Sequence, residues 1–88
     1  MNRIEIIKIG DSYAVRWQFA NGANGVQLCT DEREARIYRA GFRDGFKSVA
    51  NLIGGGLTGG YEVRETTLAE IEAEDKTTAN ILRHGGVK

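Results

Sequence analysis

Few of the side chains that carry enzyme chemistry occur in this 88-residue chain. The one histidine is His84 and the one cysteine is Cys29, and neither lies at a spacing that gives it a metal-ligating partner. Nucleophilic catalysis needs a nucleophile, a base and a group that orients the base, and the sequence around Cys29 and Ser48 offers no such set. We therefore expect no catalytic activity, no metal and no cofactor.

Two further segments have the composition of a functional motif without its pattern. The glycine-rich segment 54–60 lacks the Gly-Lys-Ser/Thr ending of a phosphate-binding loop, and it follows a predicted helix rather than a strand. The acidic residues at 70, 72, 74 and 75 are spaced along a predicted helix and do not converge on one ion. We expect a flexible connector in the first segment and a solvated acidic surface in the second.

A band of cations is the strongest candidate for a functional surface. It lies on one flank of a helix predicted from Asp31 to Ile53, beside an apolar stripe that includes Phe42 and Phe46. The members of this basic band are Arg33, Arg36, Arg39, Arg43 and Lys47. Arginine suits bidentate recognition of carboxylates and phosphates, so the band predicts docking to a protein or nucleoprotein partner. Three alternatives stay open: contact with nucleic-acid phosphates, ordinary surface charge, and counterions for the second helix.

Charge is segregated along the chain although the formal net charge is zero. Residues 33–47 hold five cations and two acids, whereas residues 62–75 hold six acids and one arginine. A zero balance disfavours a dedicated nucleic-acid binder, which usually carries a strongly basic surface. The segregation predicts a molecular dipole that favours charged partners.

The hydrophobic pattern predicts an α+β fold. Alternating residues over 12–20 predict a strand, and further strands are expected over 3–9, 26–29 and 61–65. Isoleucines at 4 and 6 and at 7 and 9 predict that the first strand is buried on both sides or bulged. With helices over 31–53 and 68–84, the predicted order is β-β-β-α-β-α. We expect a small antiparallel sheet of three or four strands covered on one face by the long helix.

Two helix features predict contacts between the helices. Gly41 and Gly45 are four residues apart and permit a close approach, either to Ala69 and Ala73 of the second helix or to a second copy in a homodimer. Asp75 falls on the apolar stripe of the second helix, which predicts an ion pair with a cation of the basic band. The first helix is expected to pack on the sheet through Phe42 and Phe46.

The whole chain, 1–88, is expected to form a single domain. It has no run of apolar residues long enough for a membrane span and no secretory signal at its start, which predicts a cytoplasmic protein. The small size and lack of chemistry are typical of a regulator or inhibitor from a mobile genetic element that binds a larger protein.

Overall fold

The computed structural model describes residues 2–20, 22–41, 57–58 and 62–87. Three strands come first: β1 (Asn2–Ile9), β2 (Ser12–Gln18) and β3 (Asn24–Cys29). Helix α1 begins at residue 32 and is helical up to residue 41, where that described range ends. The other elements are β4 (Leu57–Thr58), β5 (Val63–Glu65), α2 (Leu68–Glu74) and α3 (Lys76–His84). The α+β class is confirmed. The predicted element order agrees except in two places: the last predicted helix is two helices, and the short strand β4 lies in the segment 54–60 that was predicted to be a flexible connector.

The sheet is mixed rather than antiparallel. β2 pairs antiparallel with β1 on one side and with β3 on the other. The short strands β4 and β5 both pair with the remaining side of β1, and both run parallel to it. A parallel pairing requires the chain to cross the sheet between strands, and the segment containing α1 provides that crossover from β3.

Strand β1 is buried on both faces, as its isoleucine pattern predicts. Ile4 and Ile6 pack with Val15 and with Ala35 of α1, on what we call the α1 face. Ile7 and Ile9 lie on the opposite face, which α2 and α3 cover. The apolar side chains buried on this α2–α3 face are Ile7, Ile9, Ala14, Val26, Ile71, Ala79, Leu82 and Val87. The expectation of helical cover on one face is therefore incomplete, because the second helical segment encloses a core of its own.

Tight turns connect the first three strands. Gly10 adopts a positive φ of 59° between β1 and β2, a conformation that glycine accepts without strain. Between β2 and β3, Gly22 has a φ of 88° and its N–H donates to the Phe19 carbonyl. Gly25 lies inside β3, where the Trp17 ring covers it so closely that a Cβ there would overlap the indole.

Asp75 ends α2 and starts α3. Its backbone is extended, and its carboxylate accepts hydrogen bonds from the N–H groups of Thr77 and Thr78 and from Thr78 Oγ1. Because the Asp75 side chain binds these N–H groups, it favours the start of a new helix over continuation of α2. The predicted helix is therefore divided in two. The buried stripe survives the break, since Ile71, Thr78 and Leu82 all face the sheet.

Candidate interaction surface

Helix α1 begins at the predicted position, and side-chain hydrogen bonds cap its first turn. Asp31 Oδ1 accepts from the Glu34 N–H at 2.8 Å, and the Asp31 carbonyl accepts the Ala35 N–H. Thr30 Oγ1 donates to the Glu34 carboxylate at 2.6 Å. These bonds fix the first turn of α1 and therefore fix which of its residues face outward.

The structure separates the described members of the basic band. Arg33 and Arg36 are exposed, whereas Arg39 is only 3% exposed. The prediction that the arginines all lie off the buried side of the helix is therefore wrong for Arg39. It follows the fully buried Ala35 by one helical turn, so it shares that inward side. Arg43 and Lys47 lie outside the described residues, as do Phe42 and Phe46, so their predicted contacts are not described.

The outward side of α1 combines the two exposed arginines with a large apolar residue. Ile37 is 63% exposed, the most of the exposed large hydrophobic residues. Arg36 is held by an ion pair of 2.9 Å with Glu32, one turn earlier. We call Arg33, Arg36 and Ile37 together the α1 surface. Tyr38, beside it, stacks on Trp17 with ring centroids 6.5 Å apart and so ties this helix to the sheet.

A second group of charges lies on the other side of the sheet, and sequence reasoning missed it. Its centre is Arg16, which is 2% exposed and lies opposite Glu5 in the β1–β2 pairing. Arg16 Nη1 lies 3.2 Å from Glu74 Oε1 and 3.6 Å from Glu5 Oε1. Arg64 Nη2 lies 3.0 Å from Glu5 Oε1 and 3.5 Å from Glu74 Oε2, and Arg3 lies 2.8 Å from the other oxygen of Glu5. The ion cluster therefore joins β1, β2 and β5 to the end of α2.

The register of the strands holds the signal that could have revealed this cluster. A first strand that is buried on both faces must also bury Glu5, and a buried carboxylate needs a cation. Arg16 is the cation that pairing across the Gly10 turn places beside it. Arg16 Nε and Nη2 are buried without a hydrogen-bond partner, which offsets part of the stabilisation gained at Nη1.

The carboxylates at the end of α2 have their described partners on the α2–α3 side of the sheet. Glu74 pairs with Arg16 and Arg64, and the charge of Arg16 also acts on Asp75. Burial raises the pKa of Asp75, but the three hydrogen bonds from Thr77 and Thr78 and the charge of Arg16 outweigh it, so that the net pKa is lowered. Asp75 does not meet the described members of the basic band, because the described part of α1 packs on the opposite face of the sheet. Arg43 and Lys47 lie outside the described residues.

The predicted glycine contact between helices is also not found. Ala69 and Ala73 are exposed on α2, and a Cβ placed at Gly41 would meet no described atom within 4 Å. Gly45 lies outside the described residues. Since α1 and α2 lie on opposite faces of the sheet, Gly41 does not mediate their packing.

The described residues offer little for metal or acid–base chemistry. They contain no group of three or more His, Cys, Asp or Glu side chains that could hold a metal ion. Burial raises the pKa of the Cys29 thiol, and the charges of Glu34 and Asp31 raise it further, which disfavours the reactive thiolate. His84 is exposed in the last turn of α3, where a cation favours the helix dipole. Within the described residues, none of the helices has the length and apolar character needed to cross a membrane.

No protein-family model, curated protein or solved structure matches this chain.

Proposed function

We propose that this protein is a non-catalytic interaction module, a small regulator or inhibitor that binds a larger protein through the α1 surface. The observation that carries the proposal is the exposure of Ile37 beside Arg33 and Arg36. Arginine beside an apolar side chain is the composition that protein interfaces favour, since the apolar group supplies buried area and the arginine supplies directional hydrogen bonds.

The contrast between the arginines supports this use of α1. Arg16 and Arg39 are buried and are therefore committed to the interior, while Arg33 and Arg36 are not needed there. Arg36 has one exposed carboxylate partner, and exposed pairs of this kind contribute at most about 1 kcal/mol to folding. These two side chains can consequently engage a partner at little cost in stability.

A charge-reversal experiment tests the proposal. The tagged protein and its Arg33→Glu/Arg36→Glu variant are used to capture partners from the native host. We expect the variant to lose at least tenfold of the captured partner, because an interfacial charge pair contributes about 2–5 kcal/mol when one member is removed. Its melting temperature should be unchanged, because surface substitutions alter stability by about 0.5 kcal/mol or less.

Arg83→Glu is the matched control. Arg83 is half-exposed and pairs with a carboxylate of its own helical layer, Glu72, as Arg36 pairs with Glu32. It lies on the α2–α3 side, so its reversal changes net charge and one ion pair without touching α1. Equal loss of the partner in the control and in the α1 variant would reject the α1 surface as the binding site.

The alternative function is phosphate contact with nucleic acid through the basic band. It predicts that a labelled nucleic acid binds with an affinity that falls steeply as salt rises. Burial of Arg39 reduces the cations that the described part of α1 can offer to phosphates, so the protein partner is favoured. Tight, salt-dependent binding that the Arg33→Glu/Arg36→Glu variant loses would reverse that preference.

A further inference from the structure

The sequence of β3 has neither the charges nor the prolines that usually protect an edge strand. Within the described residues, β3 is the last strand of the sheet on its side, with β2 as its pairing partner. Natural edge strands discourage pairing with other chains through charges, prolines or bulges. From position 22 to position 30 the sequence contains no charged residue and no proline. The opposite edge is different, since two of the three residues of β5 are charged.

The hairpin geometry identifies which backbone groups this edge presents. The Phe19 N–H donates to the Ala23 carbonyl at 2.8 Å, so these two residues form a hydrogen-bonded pair. Hydrogen-bonded and non-hydrogen-bonded pairs alternate along an antiparallel ladder, which fixes the type of every later pair between β2 and β3. Gly25, Gln27 and Cys29 then direct their N–H and C=O groups toward β2, opposite Trp17, Val15 and Tyr13. The N–H and C=O groups of Asn24, Val26 and Leu28 point away from the sheet. Of these, the Leu28 carbonyl accepts a hydrogen bond from the Gln27 side chain at 3.1 Å.

An apolar side chain extends this edge on the α2–α3 face. Helix α3 packs beneath β3, with Gly85 so close to Leu28 that a Cβ at Gly85 would lie 2.9 Å from its side chain. Ile81 precedes Gly85 by one helical turn on the same flank of α3, and it is 46% exposed. A strand added to β3 would therefore find an apolar contact in addition to the backbone groups.

We propose that the edge of β3 binds the β3 strand of a second copy, so that two sheets join across a two-fold axis at Val26. Antiparallel pairing about this centre places Asn24 opposite Leu28 of the partner and Val26 opposite its own copy. All three outward residues of each strand then exchange backbone hydrogen bonds. The pairing is self-complementary, as a two-fold interface requires, and it brings no like charges together.

Several features favour a second copy over another chain. The outward residues satisfy one another under the two-fold, and a valine pair at the centre is a favourable cross-strand contact. On the α2–α3 face, the exposed Ile81 of each copy offers an apolar side chain near the joined edges. This dimer uses a different surface from the homodimer predicted through Gly41 and Gly45, which stays a prediction because Gly45 lies outside the described residues. It leaves the α1 surface free.

Sedimentation and amide hydrogen exchange test this dimer over about a hundredfold range of protein concentration. We expect the sedimentation coefficient to rise with concentration. Exchange at Asn24, Val26 and Leu28 should slow at least about tenfold on dimerisation, while Gly25, Gln27 and Cys29 are already protected by β2. A monomer at every concentration, or a dimer in which the three outward amides still exchange rapidly, would overturn the proposal.

Two variants and one control make the test specific. Ile81→Lys places like charges beside the axis, and Asn24→Pro removes an outward N–H without affecting the β2 ladder. Each should weaken the dimer about tenfold or more. Ile37→Lys makes the same change at an exposed isoleucine on α1 and should leave the dimer intact. A dimer that survives both edge variants, or that only Ile37→Lys dissociates, contradicts pairing through β3.

Discussion

At the scale of single residues, the arginines of this chain divide into structural and surface groups, and sequence position alone does not separate them. Arg16 alternates with apolar residues on β2 and could be read as an outward-facing charge. Its burial follows from the second layer of helices, which the alternation of β2 does not reveal. Arg39 faces the interior because the cap at Asp31 fixes where α1 begins. It lies one helical turn after the buried Ala35 and therefore on the same side of the helix.

Removal of Arg16 should be strongly destabilising. In the Arg16→Met variant Glu5 keeps Arg3 and Arg64 but loses its most buried partner, and breaking a buried charge pair typically costs about 3–5 kcal/mol. Urea unfolding of Arg16→Met, Glu5→Met and the double variant forms a complete cycle. We expect the double variant to be more stable than Arg16→Met, because it also removes the buried Glu5 carboxylate that has lost the Arg16 charge. Purely additive effects would show that Arg16 and Glu5 are energetically independent.

At the scale of elements, the strands and the start of α1 follow from local patterns, whereas the later elements depend on context. Alternation over 12–18, the Gly10 turn and the Asp31 cap act over a few residues, so they can be recognised in the sequence. The parallel pairing of β4 and β5 with β1 depends on where the chain crosses the sheet, which no local pattern encodes. The break at Asp75 lies between these cases. Aspartate is a favoured residue at the start of a helix, but Asp75 lies within a longer apolar periodicity that predicts one continuous helix.

The junction of α2 and α3 should lose stability in acid. Because the pKa of Asp75 is lower in the folded protein than in the unfolded chain, its contribution is fully present above the unfolded value and is lost as pH falls through the folded value. We expect Asp75→Ala to be about 1 kcal/mol or more less stable at neutral pH, since a helix cap is removed. The difference from the parent protein should shrink as the pH is lowered below 4, a value close to the pKa of an unperturbed aspartate, about 3.9. Asp75→Asn is the informative comparison, because asparagine retains the cap acceptor but does not titrate. A stability gap between parent and Asp75→Ala that is independent of pH would contradict the role of the Asp75 charge.

At the scale of the whole molecule, one sheet separates two cores and two charged regions. Each side of the sheet has its own ion pairs. Arg36 pairs with Glu32 on α1, and the ion cluster around Arg16 lies on the side of α2 and α3. The carboxylates of α2 have partners on their own side of the sheet. Glu74 and Glu72 form ion pairs with arginines there, and Glu70 accepts a hydrogen bond from Thr66. The α1 surface is consequently not needed to neutralise them, which leaves Arg33 and Arg36 available for a partner.

Photo-crosslinking in the native host tests most directly whether α1 contacts a partner. A photoreactive aromatic amino acid replaces Ile37 in one protein and Asn80, an exposed residue of α3, in a control. We expect a covalent adduct with a different protein from position 37, its loss when Arg33→Glu and Arg36→Glu are added, and no such adduct from position 80. The absence of an adduct at position 37 in cells where position 80 forms one would contradict the assignment of the α1 surface as the binding site.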